Sequence, residues 1–275
     1  MALKLMYITN DENIAKIAEE SGVDWIFIDL EINGKEERQG YLDTVISHHK
    51  IEDVKMIKNV LRKSELLVRI NPIYEDSQEE IDQVIINGAD IVMLPFFTQK
   101  EEVEKFIEYV NARAKVCLLL ETPAAVENID EILNIKGIDY IHIGLNDLHL
   151  GYGMDFMFEL LVDGTVEMLC EKISKSRIMY GFGGIAQIGK GDLPAENIII
   201  EHYRLESSMA ILSRSFCNVD KIANLNEIKQ LFLNGVNKIR SYENELLSKD
   251  EVFYFKNQEV VKQKVSGILA KKMKI

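Results

Sequence analysis

Charged side chains stand where short apolar runs of this chain end, and their types and order point to chemistry. Glu121 closes the apolar run at residues 116–120, Asp147 follows DYIHIG, Arg69 lies in LLVRIN, and Asp29 and Glu31 end DWIFIDLE. A carboxylate at the end of a buried run is costly unless something neutralises it. Glu121 therefore needs a cation. If Glu121 and Asp147 converge, they suit one hard divalent ion that keeps water or substrate oxygens at its other positions. Arg69 offers a planar fork for a carboxylate. The same residue types also build an ordinary salt-bridge network, Arg69 with Glu121 or Asp29, that braces a barrel.

The elements that would position these groups alternate. Eight short apolar runs (LMYIT, DWIFIDLE, LLVRIN, ADIVMLPF, KVCLLLET, DYIHIG, MYGFGGIA, SMAILSRSF) are separated by amphipathic stretches such as DENIAKIAEESG and QKEEVEKFIEYVNARA. Most runs are continuously apolar, as expected of parallel strands covered on both faces. Eight strand-helix units imply a closed barrel, and the first turn, ITNDEN, lacks the glycines of a dinucleotide-binding open sheet. The expected fold is a single (β/α)8 TIM barrel over residues 1–247 with a helical extension over 248–275. A helix is expected around residues 220–247, and AAVENIDEILNIKG reads as one helix.

Composition narrows the class. The 275 residues hold 32 Lys+Arg against 45 Asp+Glu, a formal charge of −13, with 47% hydrophobic residues. A core of that size excludes a disordered acidic chain, and the charge disfavours nucleic acid as a partner. Cys117, Cys170 and Cys217 suggest no disulfide framework, the start of the chain does not read as a signal peptide, and no apolar run is long enough for a bilayer. A cytoplasmic protein without membrane contact is expected. The end is basic, with six lysines and one glutamate over residues 256–275.

ADIVMLPFF, LLLETPAAVENIDEIL and IDYIHIGLNDLHLGYG together resemble the HpcH/HpaI aldolase and citrate lyase beta-subunit family of the phosphoenolpyruvate/pyruvate superfamily. The likeness runs from about Trp25 to Phe216. It implies a barrel in which Glu121, in the family's (I/L)ET context, and Asp147, in its G-x-x-D-L context, bind a divalent metal. Mg2+ is the expected ion, with Mn2+ or Co2+ as alternatives, and it would hold a 2-oxo acid such as pyruvate or its enolate. Arg69 matches the arginine beside the enolate oxygen and carboxylate. Gly144, Leu145 and Asn146 are the expected substrate contacts before Asp147. The resemblance also implies a homo-oligomer, with the C-terminal helix docked on or exchanged with a neighbouring subunit.

One position departs from the family. Aldolases of this group read D-x-E-H at the second strand, with the histidine as general base, whereas this chain reads Asp29, Leu30, Glu31, Ile32. Either His48 or His49 reaches back over the mouth as base, or both face solvent while Asp29 and Glu31 orient a metal-bound water and Arg38 reads an anionic tail. Gly181, Gly183 and Gly184 either cradle a phosphate, with Lys190 and the helix start near Pro194, or permit close packing. His142 reads as a satisfied core histidine and Arg214 as a brace or a substrate contact. Phe96, Phe97 and Tyr152 are expected to wall the pocket. The reading that follows is a metal-dependent carbon–carbon lyase that cleaves or forms an aldol-type bond to a 2-oxo acid such as pyruvate. The alternatives are a citrate-lyase-like enzyme acting on an acyl-CoA thioester, and a barrel without catalysis serving as a regulatory or interaction subunit.

Overall fold

The computed structural model describes residues 2–33, 49–213, 215–219, 222 and 224–272. Eight parallel strands close into one barrel in chain order: β1 Lys4–Ile8, β2 Trp25–Asp29, β3 Glu65–Arg69, β4 Ile91–Leu94, β5 Lys115–Leu120, β6 Tyr140–Ile143, β7 Met179–Ile185 and β8 Met209–Leu212. The connecting helices are α1 Glu12–Glu20, α2 Ile51–Val60, α3 Ser77–Ile86, α4 Lys100–Val110, the short pair α5 Pro123–Glu127 and α6 Ile129–Ile132, then α7 Leu145–Gly151, α8 Thr165–Lys175 and α9 Ala195–Arg204. Two long helices follow, α10 Leu225–Leu246 and α11 Glu251–Lys272. The expected (β/α)8 barrel with added C-terminal helices is the observed fold. Among the described residues no helix is long and apolar enough to cross a membrane.

Side chains alternate across each strand, so one register decides what enters the barrel. Trp25, Phe27, Leu67, Met93, Leu119 and Tyr140 fill the interior, with Trp25 edge-on to Tyr140 at 4.8 Å. Their outward neighbours, such as Ile26, Ile28, Val68 and Ile141, join the larger core between sheet and helices. Both faces are dry, which is why the strands read as continuous apolar runs.

Helix ends follow local chemistry. Asp11 caps α1 by accepting from the Asn13 and Ile14 amides, and Thr122 caps α5, which carries Pro123 in its first turn. The single helix expected over AAVENIDEILNIKG is in fact α5 and α6, because Asn128 leaves helical geometry between them. The helix expected near residue 220 starts at Leu225, capped by Asn224.

The two last helices pack on neighbouring parts of the wall, and both touch α9. From α10, Glu243 accepts from the Leu3 amide at 2.7 Å while Arg240 donates to the Leu3 carbonyl, tying down β1. From α11, the buried Asn257 bonds the Asn197 carbonyl at 3.0 Å and Glu201 Oε1 at 2.7 Å, so the basic helix lies along α9 of its own chain.

Candidate active site

At the carboxyl ends of the strands, the inward faces stop being apolar. Phe27 points into the barrel, so by the two-residue period Asp29 and Glu31 do too; likewise Leu67 leads to Arg69, and Leu119 to Glu121. Asp29 and Arg69 are register partners on β2 and β3. The guanidinium donates through Nε and Nη2 to the two Asp29 oxygens, both at 2.8 Å, and Nη1 lies 3.2 Å from Glu31 Oε2. Burial alone would lower the Arg69 pKa, but the Asp29 and Glu31 carboxylates outweigh it and Glu121 adds to them, so the net shift is upward. Arg69 is a permanent cation here. The ion pair Arg69–Asp29 anticipated from the sequence is present and extends to Glu31.

The strand-two end is held from outside. Asn71 Oδ1 accepts from the Ile32 and Asn33 amides at 2.9 and 3.0 Å, and its own amide donates to Glu80 at 2.8 Å. Ile32, where the family histidine would stand, is exposed. His49 lies at this end, its Nδ1 accepting from the Asp29 amide at 3.0 Å. A neutral ring that accepts at Nδ1 carries its proton on Nε2, so His49 in this pose is a donor. His48, Arg38 and Arg214 lie outside the described residues.

Glu121, just past β5, is almost fully buried, and its Oε1 accepts from the Phe96 amide at 3.2 Å. Phe96 has a φ of 51°, a left-handed conformation that costs a bulky residue about 1–2 kcal/mol. Asp147 stands in the first turn of α7. Glu121 and Asp147 line one cavity of about 270 Å³ with Phe96, Thr122, Pro123, Leu150 and Gly151. Thr122 donates to the Phe97 carbonyl at 2.7 Å, joining the β4 and β5 ends.

Gly144 fits because it has no side chain. A Cβ there would lie 2.8 Å from both Cβ and Oε2 of Glu121. Gly144→Ala is expected to displace the Glu121 carboxylate, weakening Mn2+ binding about 10-fold or more while costing roughly 1–2 kcal/mol of stability by overpacking. Wild-type Mn2+ affinity by calorimetry would show that this contact does not hold Glu121 in place.

Other expectations are corrected. Phe97 is sealed in the core, so Phe96 alone of the pair lines the cavity, and the cavity lining passes through Leu150 and Gly151 in place of Tyr152. Leu145 buries its side chain and can offer a substrate only its backbone, while Asn146 is half-buried. At Gly181 a Cβ would lie 2.0 Å from the Met209 carbonyl oxygen, where β7 and β8 shift register, so this glycine serves packing. The three cysteines are buried and burial raises each thiol pKa, Cys217 to about 11, which leaves no activated thiol nucleophile among them.

His142 faces inward one step below Gly144, across from Leu119, and is a core residue as expected. It is poorly satisfied: among the described residues neither ring nitrogen makes a well-formed hydrogen bond, and the Gly183 backbone offers only a weak one. Burial pulls its pKa down to about 4, against the Gly183 backbone and aided by the Arg69 charge. His202, stacked on Phe182, is lowered to about 3 by burial, with His142 adding to it. Both stay neutral in the folded protein but protonate near pH 6.5 once unfolded, so the unfolded chain binds more protons between about 6.5 and 4. Stability should fall as pH drops through that window, by roughly 3 kcal/mol for His142 alone. Urea titrations of wild type and His142→Phe at pH 7 and 4.5 check this; equal pH dependence in the two would refute it.

Known proteins share the family and the barrel of this chain. The family model described as HpcH/HpaI aldolase/citrate lyase matches residues 4–156. The 2-keto-3-deoxy-L-rhamnonate aldolase of Shigella dysenteriae serotype 1 (strain Sd197) is 24% identical over 204 residues, 63% of this chain and 71% of that protein. Among solved structures, an HpcH/HpaI aldolase from Desulfitobacterium hafniense DCB-2 superposes with a TM-score of 0.57 at 18% identity, covering 87% of this chain and 93% of its own. The citrate synthase SbnG superposes with a TM-score of 0.61 at 18% identity, covering 83% and 94%. At these identities the structural likeness speaks to the fold.

Proposed function

The chain belongs to the HpcH/HpaI aldolase/citrate lyase family, and from that premise we propose that it is a divalent-metal-dependent carbon–carbon lyase that makes or breaks a bond to a 2-oxo acid such as pyruvate. The observation that carries the proposal is the placement of two carboxylates, Glu121 and Asp147, on one cavity, with the largely buried Arg69 near enough for its charge to act on Glu121. Among the described residues no group of three or more His, Cys, Asp or Glu forms a metal cage. Two carboxylates nevertheless suit Mg2+ or Mn2+, which keep several positions for water and substrate oxygens. Glu121 and Asp147 would hold that ion. When bound, it would supply Lewis-acid polarisation of the 2-oxo group.

The chain's own residues do the rest. Arg69, its Nε–Nη2 fork locked on Asp29 and its Nη1 on Glu31, would offer its charge and remaining Nη protons to the substrate carboxylate or the developing enolate oxygen, and its low exposure would strengthen that interaction. Because two carboxylates already hold the fork, it need not reorganise during reaction. His49, donating from Nε2, would steady an oxygen at the β2 end; taking up a proton would require it to release the Asp29 amide, because the accepting lone pair on Nδ1 already receives that N–H.

Exchange of the pyruvate C3 protons for deuterium, followed by NMR with Mg2+ or Mn2+, tests this reading without requiring the second substrate. Exchange that stops with EDTA and returns with metal is expected. Metal-independent exchange would remove the metal from the proposal, and no exchange would point to thioester chemistry or a barrel without catalysis.

A further inference from the structure

Where the β2–β3 backbone ladder ends, side chains take over from it. The ladder reaches the Leu30 amide, which donates to the Arg69 carbonyl at 2.9 Å. Two residues beyond Arg69 the sequence reads Asn71 and then Pro72, and a proline has no N–H with which to carry the pairing further. The Glu31 amide donates instead to Asp29 Oδ1 at 3.3 Å, and Asn71 Oδ1 takes the next two amides, Ile32 and Asn33. Asn71 is itself oriented from α3. Its Nδ2 donates to Glu80 Oε1 at 2.8 Å, its backbone amide lies 3.3 and 3.4 Å from the two Glu80 oxygens, and the Tyr74 hydroxyl donates to the same carboxylate. Two N–H donors on one side and a carboxylate on the other leave the amide one orientation, oxygen toward β2 and nitrogen toward α3. An aspartate there could accept but not donate, and a leucine could do neither.

Resting on the lyase reading above, we propose that Asn71, held by Glu80, is a positioning residue for Arg69: by fixing the two amides that follow Glu31 it keeps the Glu31 carboxylate on Nη1, and so fixes which guanidinium N–H groups are left to face a substrate oxygen. The place of the clamp decides this. Asp29 is set opposite Arg69 by strand register. Glu31 lies beyond the paired residues of β2, so its carboxylate stays 3.2 Å from Arg69 Nη1 only while the backbone immediately after it is held. Ile32 and Asn33 are exposed, so water can replace both bonds if the Asn71 side chain is removed, and the fold then loses little. What is lost is orientation, and moving a catalytic group by about 1 Å can cost roughly 10²-fold in rate.

Two readouts test it: deuterium exchange of pyruvate with Mn2+, and the Arg69 Nε–H signal in 1H–15N spectra, identified by its loss in Arg69→Lys. Both are taken at pH 8, which keeps Glu80 ionised although burial raises its pKa. In Asn71→Leu the exchange rate at saturating pyruvate should fall at least about 5-fold and the Arg69 signal should move. Mn2+ affinity should be unchanged, because Glu121 and Asp147 are untouched, and the melting temperature should fall by no more than about 4 °C. Asn71→Asp should be impaired to the same degree, since it sets two carboxylates against each other. Adding Glu80→Gln restores one donor facing one carboxylate with the roles exchanged, so the double variant should return to within about 2-fold of the wild type and recover the Arg69 signal. A smaller loss in Asn71→Leu, an unmoved Arg69 signal, or a double variant no better than Asn71→Asp would overturn the positioning role and leave the lyase reading standing. If the wild type exchanges no pyruvate protons, the lyase reading fails, and movement of the Arg69 signal in Asn71→Leu with its return in the double variant decides alone whether Asn71 positions the guanidinium.

Discussion

Glu121→Gln is expected to lower kcat/KM by roughly 10³-fold or more, the rate equivalent of several kcal/mol of charge stabilisation supplied by a bound cation. The substitution is chosen because it changes so little else. An amide oxygen can still accept from the Phe96 amide, and the volume that packs against Gly144 is preserved. The thermal midpoint should hardly move. Direct Mn2+ binding, followed by electron paramagnetic resonance, should weaken in parallel with activity. Asp147→Asn should act in the same direction. If Glu121→Gln bound Mn2+ and turned over like the wild type, the carboxylate pair would be a structural feature and the metal assignment would be wrong.

Arg69→Met should have the largest effect on stability as well as abolishing turnover. Asp29 and Glu31 each keep only 2% of their side chain exposed, and removing the guanidinium leaves two buried carboxylates without their bidentate and end-on partner. Breaking a buried pair in this way costs about 3–5 kcal/mol. For a chain of this size that corresponds to a fall in melting temperature of about 10 °C. The triple variant Arg69→Met, Asp29→Asn, Glu31→Gln should recover much of the stability, because no buried charge is then unpaired, and none of the activity. Arg69→Lys separates charge from geometry: it retains a cation but cannot bond both Asp29 oxygens in a plane, so turnover should still fall about 10²-fold or more. Recovery of activity in the triple variant would show that Arg69 serves the fold and not the substrate.

Much of the site was legible because the strands are. A strand buried on both faces shows as an unbroken apolar run, and a charged residue ending such a run stands out without any structure. That reasoning found Asp29, Glu31, Arg69 and Glu121, and the structure brings all four to the same end of the barrel. Asp147 stood out by its place after the sixth apolar run, and the family pattern matched it as well, but the cavity it shares with Glu121 became visible only in three dimensions. Phe96 was noticed as an aromatic, but its contribution through a backbone amide at positive φ carries no sequence signal, since the side chain says nothing about where its own N–H points. Asn71 was missed for a related reason. Its partners, the Ile32 and Asn33 amides, lie 39 and 38 positions away and are backbone groups.

By itself the sequence determined the architecture, the order of the strands and which strand ends carry charge, because burial on two faces and the alternation of side chains are local properties written in residue type. Only the tertiary structure decided how those charges are shared. Closing the barrel set Asp29 opposite Arg69, brought Glu31 onto the same fork, and placed Glu121 under a glycine and beside Asp147. It also left His142 inside without a well-formed hydrogen bond among the described residues and laid the C-terminal helix along α9. The physical reason is that an ion pair or a cavity wall depends on distances between residues far apart in sequence, and those distances are fixed by barrel register and packing, which no single segment encodes.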